Sequence, residues 1–147
     1  ARRTGRRLIL AGLVQDEHYF ATDVSPYIDG SQIQYVGNVG PEERSQLLGN
    51  AAALLHLINF EEPFGLSVAE AMLCGTPVIA FDRGSMSELI LHGETGFLSS
   101  HVDQVIRFID QLPSISRARC AQWAHEQFSQ DRMVDRYIEV YKELLHR

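Results

Sequence analysis

Short apolar runs alternate along this chain with segments of helical periodicity, and this alternation limits the possible folds more than any other feature. The apolar runs lie at residues 8–11, 33–36, 54–58, 78–81 and 96–98. Helical patterns fall between them at residues 17–28, 41–52, 66–74 and 86–90, and continue without further strands at residues 102–112, 114–128 and 131–145. Strands that alternate with helices pair in parallel, because each helix returns the chain to the same end of the sheet. The sequence therefore predicts an α/β fold: a Rossmann-like parallel sheet with helices on both faces, ending in several helices.

Length and composition narrow the class of protein. A chain of 147 residues, of which 45% are hydrophobic, is large enough for a single domain with a proper core. Its net charge of −6 argues against nucleic acid as a partner, because binding to a phosphate backbone needs a strongly positive surface. The sequence contains neither a long apolar run nor a secretory segment, so we expect a cytoplasmic protein.

A cluster of basic residues near the start of the sequence has two possible meanings. It consists of Arg2, Arg3, Arg6 and Arg7. Contact with anionic lipid is one of them, but so short a cluster is usually a solvated loop, and nothing else in the sequence supports a membrane contact.

Residues 62–80 form the segment most informative about function. They read Glu-Pro-Phe-Gly-Leu-Ser-Val-Ala-Glu-Ala-Met-Leu-Cys-Gly-Thr-Pro-Val-Ile-Ala. A loop ending at Gly65 should lead into a helix over residues 66–74, which Gly75 and Pro77 then stop. Glu70 is the only charged residue of that helix, and none of its neighbours three or four positions away can pair with it. Because the helix is apolar nearly all round, we expect it to be buried, and a ligand diol would satisfy its carboxylate.

The start of this helix is a candidate phosphate site. The amides of residues 65–67 carry the positive end of the helix dipole, which binds phosphate without a lysine. Glu70 should lie roughly 6 Å further along the axis, about the offset between a diphosphate and its ribose. However, Ser67 and Glu70 also fit a capping box, in which Ser67 caps the helix and Glu70 folds back on it. The spacing alone leaves both interpretations open.

The spacing of Glu62 and Glu70, with the residues between and after them, resembles the E-x7-E signature of the family-four retaining glycosyltransferases of the GT-B fold. The resemblance extends upstream to residues 33–39 and downstream to residues 80–90 and 92–98. It covers residues 8–147, more loosely at the ends. It implies that the chain is the C-terminal, donor-binding half of such an enzyme, a single domain over residues 1–147.

The resemblance also implies a reaction and a role for each matching residue. The reaction is transfer of a sugar from a UDP-sugar or GDP-sugar donor with retention at the anomeric carbon, without a metal or other cofactor. Glu62 is implied as the catalytic residue, facing the sugar hydroxyls near the reacting carbon, and Glu70 would bind the ribose. The remaining donor-binding residues implied are Val39, through its backbone near the base, then Phe64, Gly65, Leu66 and Ser67 around the diphosphate and sugar.

The sequence departs from the family at its basic clamp. Family members bind the diphosphate with an Arg-x4-Lys segment, whereas the only lysine here is Lys142, in the last helix. We therefore expect the clamp, the first βα segment and the N-terminal acceptor domain to lie outside this chain, which alone should be inactive. Arg83 is the nearest candidate for a remaining donor-binding cation. Alternatively, it is a surface arginine paired with Asp82 or Glu88.

Other classes of protein are kept as alternatives. A non-hydrolysing sugar-nucleotide epimerase shares the GT-B architecture, and a non-catalytic nucleotide-sugar-binding module fits half of an enzyme. A dinucleotide-binding oxidoreductase and a P-loop protein are disfavoured, because neither glycine-rich motif is present.

The remaining residues with chemical potential are predicted to be structural. His56 should be a satisfied histidine of the core or its rim, and the histidines and two cysteines show no metal-ligand spacing, so no metal is expected. The final helix carries an apolar stripe formed by Val134, Tyr137, Ile138, Tyr141 and Leu145. Packing of the stripe against this same domain is the simpler expectation. In GT-B enzymes, however, the last helix crosses to the other domain, which would leave part of the stripe exposed here.

Overall fold

The structure is a computed structural model that describes residues 1–146. The chain divides into two compact units, one formed by residues 1–44 and one that begins at Ser45. Each unit contains its own parallel sheet, and no strand of one sheet pairs with a strand of the other within the described residues. The parallel pairing that the alternation predicts is therefore confirmed, and it is divided between two ladders.

The first unit is built on two strands, β1 (Leu8–Leu10) and β2 (Ile33–Tyr35), which pair in parallel with Leu8 opposite Ile33. Between them the chain forms α1 (Glu17–Tyr19), a π-helical turn (Phe20–Val24) and a 3-10 turn (Ser25–Tyr27) instead of the one helix predicted. Asp16 caps α1 by accepting from the Tyr19 amide. Pro26 explains why the segment ends in a 3-10 turn, because proline has no amide hydrogen to continue the helical hydrogen bonds.

A turn before β2 is held by one carboxylate. Asp29 Oδ1 accepts from the amides of Ser31 and Ile33, both at 2.9 Å. These two backbone hydrogen bonds, Ile33 first, lower the pKa of Asp29. Helix α2 (Pro41–Asn50) follows β2 and spans the boundary between the two units.

The second unit is a three-stranded parallel sheet with helices. Its strands are β3 (Leu54–His56), β4 (Val78–Phe81) and β5 (Gly96–Ser99), in the order β3-β4-β5. Its helices are α3 (Leu66–Leu73), α4 (Met86–Leu89), α5 (Val102–Gln111), α6 (Arg117–Phe128) and α7 (Gln130–Leu145), with a 3-10 turn at Leu112–Ser114. The ends of these strands and α-helices differ from those of the predicted segments by at most three residues, whereas the 3-10 turn was not predicted.

The core of the second unit lies between α3, the sheet and α6. Val68, Ala71 and Met72 of α3 are completely buried, as are Val78 and Ile79 of β4. The prediction of a wholly buried α3 is wrong, however, because Leu66 is 71% exposed and Leu73 is also exposed. Only one side of this apolar helix contacts the core, so its outer side is available to another surface.

Helix α7 contacts α6, where Arg136 donates to Gln127 at 2.7 Å, but no described residue of α7 is buried by the rest of the second unit. Every described position of the helix is exposed, including all of the predicted stripe residues. The simpler expectation, that the stripe packs on this same domain, is therefore wrong. None of the helices in residues 1–146, α7 included, is long and apolar enough to cross a membrane.

Candidate functional site

The loop before α3 delivers the chain to the helix through a glycine. Gly65 is the N-cap of α3 with φ 93°, and no side chain caps the helix. A Cβ at this position would lie 2.8 Å from Met86 Cε, the movable end of a flexible side chain, so it is the left-handed backbone conformation that requires glycine. The first amides of a helix have no partner within the helix. Here the residue before them is a left-handed glycine, which has no side chain that could accept from them.

This geometry excludes one of the two interpretations of Ser67 and Glu70. The capping box needs Ser67 at the N-cap, but the N-cap is Gly65, two residues earlier. Ser67 is an exposed residue of the first helical turn, and Glu70, one turn further on, is half-buried. The capping-box interpretation is therefore wrong, because the cap position is occupied by a residue with no side chain.

A second loop braces the segment that carries Glu62. The Ser85 amide donates to the Glu62 carbonyl oxygen at 2.9 Å, and the Ser85 hydroxyl donates to the Phe64 carbonyl oxygen at 2.7 Å. The Gly84 amide donates to the Glu61 carboxylate at 2.5 Å. Gly84 has φ 56°, and a Cβ there would collide with the backbone of Glu62. The turn after β4 thus fixes the backbone on which Glu62 stands.

Glu62 lies beside His56, the last residue of β3. His56 Nε2 and Glu62 Oε2 are 3.7 Å apart, and the two side chains are only 12% and 18% exposed. Burial lowers the pKa of His56, and the nearby Glu62 carboxylate opposes that shift. The prediction of a satisfied core histidine is wrong in one respect: Nε2 is buried and has no hydrogen-bond partner within the described residues.

Arg83 is paired, but with a different carboxylate from those considered in the sequence. Its Nη1 atom lies 3.7 Å from Glu61 Oε1, not beside Asp82 or Glu88. Both side chains are largely exposed, so the pair is weak and Arg83 can exchange this partner for a ligand at little cost.

A cavity of about 780 Å³ opens at the carboxyl ends of all three strands of the second unit. In parallel α/β sheets this edge is where ligands bind. Its lining is mixed polar and apolar and consists of Leu57, Asn59, Glu61, Phe81, Asp82, Arg83, Ser99, Ser100, His101 and Val102.

The predicted site residues fall into two groups. Glu62, Phe64, Gly65, Leu66, Ser67 and Glu70 follow one another from the β3–α3 loop into α3, and Arg83 lies in the β4–α4 turn that braces this loop. Val39 belongs to the first unit, in the segment between β2 and α2. Within residues 1–146, no cluster of histidine, cysteine and carboxylate side chains has a composition that could hold a metal ion.

Solved structures share this fold and define its class. AviGT4, a glycosyltransferase involved in avilamycin A biosynthesis, superposes with a TM-score of 0.80 at 30% identity, over 99% of this chain and 46% of that one. Anabaena Alr3699/HepE in complex with UDP-glucose superposes with a TM-score of 0.79 at 23% identity, over 93% of this chain and 41% of that one. The fold is the Rossmann-like half of a GT-B glycosyltransferase.

Sequence comparison then gives the family. The family model for glycosyl transferases group 1 matches residues 2–126, and the chain belongs to that family. Among curated relatives, N-acetyl-alpha-D-glucosaminyl L-malate synthase of Bacillus anthracis is 33% identical over 130 residues, which is 77% of this chain and 34% of the relative. The chain thus spans about a third of the length of the curated relatives it matches first.

Sequence reasoning missed two parts of this site. The first is the contact between His56 and Glu62, and the second is the bracing of the Glu62 loop by Gly84 and Ser85. A signal for the first was available, since a histidine at the carboxyl end of a parallel strand lies on the ligand-binding edge.

Proposed function

We propose that this chain binds the nucleoside diphosphate sugar donor of a retaining, metal-independent glycosyltransferase. The observation that carries the proposal is the start of α3: a glycine N-cap without a side-chain cap, and carboxylates on either side at Glu62 and Glu70. This start lies on the loop that follows the carboxyl end of β3, where ligands of parallel sheets bind.

Each part of the donor has a matching group in the proposal. The amides of Gly65, Leu66 and Ser67 bind the diphosphate, because they combine unpaired helical donors with the positive end of the helix dipole. Glu70 accepts from the ribose hydroxyls, and the backbone around Val39 contacts the base. Glu62 faces the hydroxyls of the sugar near the reacting carbon.

The proposed reaction breaks the bond between the anomeric carbon and the diphosphate oxygen. The acceptor oxygen bonds to that carbon on the face from which the diphosphate departs, and the acceptor hydroxyl gives its proton to the departing diphosphate oxygen. Configuration is therefore retained. The α3 amides stabilise the negative charge that develops on the leaving diphosphate. Arg83 adds a cation once it leaves Glu61, since its present ion pair is exposed and weak.

Support for the donor comes from the neighbours of this chain. Alr3699/HepE is solved in complex with UDP-glucose and in complex with UDP, which makes a UDP-sugar the first donor to test. A GDP-sugar is the second, because a base bound mainly by backbone around Val39 does not by itself distinguish the two.

The acceptor side belongs, in this proposal, to a domain outside the chain. Helix α7 supports this, because its exposed apolar stripe is unusual for a surface that meets only water. We propose that an N-terminal acceptor domain of the same protein covers it and that the enzyme works in the cytoplasm. This chain alone then binds donor but transfers no sugar.

Saturation-transfer NMR of this chain against UDP, GDP, ADP, NAD and their sugar derivatives tests the proposal, with Glu70→Ala beside it. An affinity in the millimolar range, about −4 kcal/mol, is enough to observe. The matched control is Glu143→Ala, which removes an exposed carboxylate from α7. Selective binding of one nucleoside diphosphate, lost in Glu70→Ala and kept in Glu143→Ala, is the expected result. Binding that Glu70→Ala leaves unchanged contradicts it.

A further inference from the structure

His56 and Glu62 are brought together by a loop rather than by a regular element. His56 ends β3, where it pairs with Ala80 of β4, and Glu62 follows six positions later. The irregular segment between them turns back so that the two side chains meet at 3.7 Å. The two residues are not adjacent in sequence and do not lie on one helix, so their contact depends on the path of the loop.

The protonation of His56 follows from its surroundings. A neutral imidazole has one nitrogen that donates and one that accepts. Nε2 is buried, faces Glu62 Oε2 and has no other partner in residues 1–146. A lone pair facing a carboxylate oxygen would be repelled, whereas an N–H would be attracted, so the tautomer with the hydrogen on Nε2 is favoured. The lowered pKa of His56 agrees with a ring that is neutral at pH 7.

The backbone of Glu62 is already fixed, and its side chain is not. Ser85 holds the Glu62 carbonyl oxygen, and Gly84 packs against the Glu62 backbone. A carboxylate has two oxygens and can rotate about its side-chain bonds unless one oxygen is held. A hydrogen bond of ~2.7–3.2 Å from Nε2 is within reach of the present 3.7 Å separation by a small rotation of either side chain.

We propose that His56 is a positioning residue for Glu62, donating its Nε2–H to Glu62 Oε2 so that the other carboxylate oxygen is presented to the donor sugar. This inference rests on the proposed function of Glu62. His56 itself touches neither donor nor acceptor; it acts through the orientation of the carboxylate.

Two substitutions separate the donor atom from the ring. His56→Phe keeps the planar ring and removes the N–H, whereas His56→Gln places an amide N–H close to the position of Nε2. In the whole protein that carries this chain, supplied with its nucleotide-sugar donor, His56→Phe should lower kcat about tenfold and change the KM for donor less than about twofold. His56→Gln should recover kcat to within about threefold of the wild-type value.

Either of two kinetic results overturns the proposal. One is a kcat in His56→Phe equal to that of the wild type. The other is an equal loss in both variants while circular dichroism shows both to be folded, because an N–H restored near the position of Nε2 would then fail to restore kcat.

A spectroscopic arm keeps this inference separate from the proposed function. Long-range ¹H–¹⁵N correlation of the histidine-labelled whole protein reports the tautomer of each ring, and the His56 signal is the one lost in His56→Phe. We expect hydrogen on Nε2 and a shift of that signal in Glu62→Gln. Hydrogen on Nδ1, or a signal indifferent to Glu62→Gln, overturns the positioning role even if the protein transfers sugar. The expected spectrum in a protein that transfers no sugar confirms the contact and overturns the positioning role along with the proposed reaction.

Discussion

The hydroxyl of Ser85 donates to the carbonyl oxygen of Phe64 at 2.7 Å, and this one bond joins the turn after β4 to the loop that precedes α3. Ser85 is buried and the bond is partly shielded from water, so loss of the hydroxyl removes a partner that the Phe64 carbonyl oxygen has in the folded state.

Ser85→Ala should therefore destabilise the protein by about 1–3 kcal/mol and weaken donor binding, because the loop that carries Glu62 and Phe64 loses one of its two links to Ser85. Calorimetry measures the first effect and nucleotide titration the second. Ser114→Ala is the matched control, since that hydroxyl is exposed and bonds within its own turn. If both substitutions changed stability and donor binding equally, the Ser85 hydrogen bond would contribute no more than an exposed one.

Gly84→Ala should lower stability and donor affinity more than Gly93→Ala does. The comparison isolates the effect of a steric clash, because both glycines have positive φ. Both glycines have positive φ, 56° and 81°, so both substitutions incur the backbone cost of roughly 1–2 kcal/mol. A Cβ at Gly93 meets nothing within 4 Å, whereas a Cβ at Gly84 collides with the Glu62 backbone. We expect Gly84→Ala alone to abolish donor binding in the folded protein. Similar melting temperatures and affinities for the two variants would contradict the bracing of Glu62.

Arg117 holds three elements of the second unit together. Its guanidinium donates to the carbonyls of Gly49 and Ala51, both at 2.7 Å, and to the Thr76 hydroxyl at 2.9 Å. Arg117→Met keeps the apolar part of the side chain and removes all three bonds, so urea unfolding should show a loss of about 2–4 kcal/mol. Arg107→Met, on an exposed face of α5, should change stability by less than about 0.5 kcal/mol.

The pKa of His56 makes stability depend on pH with a definite sign. Burial lowers it in the folded state from its ordinary value of 6.5, so the unfolded chain binds a proton more readily. The folded state should therefore lose stability as the pH falls through 6.5 towards the lowered value. His56→Phe should flatten the pH dependence of the melting temperature in that window. A variant with the same acid dependence as the wild type would assign it to other groups.

The elements that the sequence predicts well are those whose signals are local. The run at residues 78–81 is uninterrupted and apolar, and Gly65 and Gly75 bracket α3. The π-helical turn at Phe20–Val24 has no such signal, because its boundaries depend on the turn that follows.

The sequence predicts which segment carries the candidate site, but not the contacts that this segment makes with other parts of the chain. Glu62 and Glu70 are singled out by the family resemblance of their segment, while the His56 contact depends on the path of an irregular loop and the Gly84 brace on a turn more than twenty positions away. The exposure of α7 could not be predicted either. Periodicity shows that a helix has an apolar stripe, but not which surface the stripe contacts.

The aromatic rings behind the α3 loop give the protein an optical probe of that loop. Phe64 of that loop lies 6.0 Å, edge to face, from Phe128, which in turn lies 6.3 Å from Trp123. Trp123 is the single tryptophan of the chain, and its indole N–H donates to the Leu89 carbonyl at 2.8 Å. A movement of Phe64 would therefore reach the single tryptophan through Phe128. In this chain the intrinsic fluorescence reports on that loop without any dye or label.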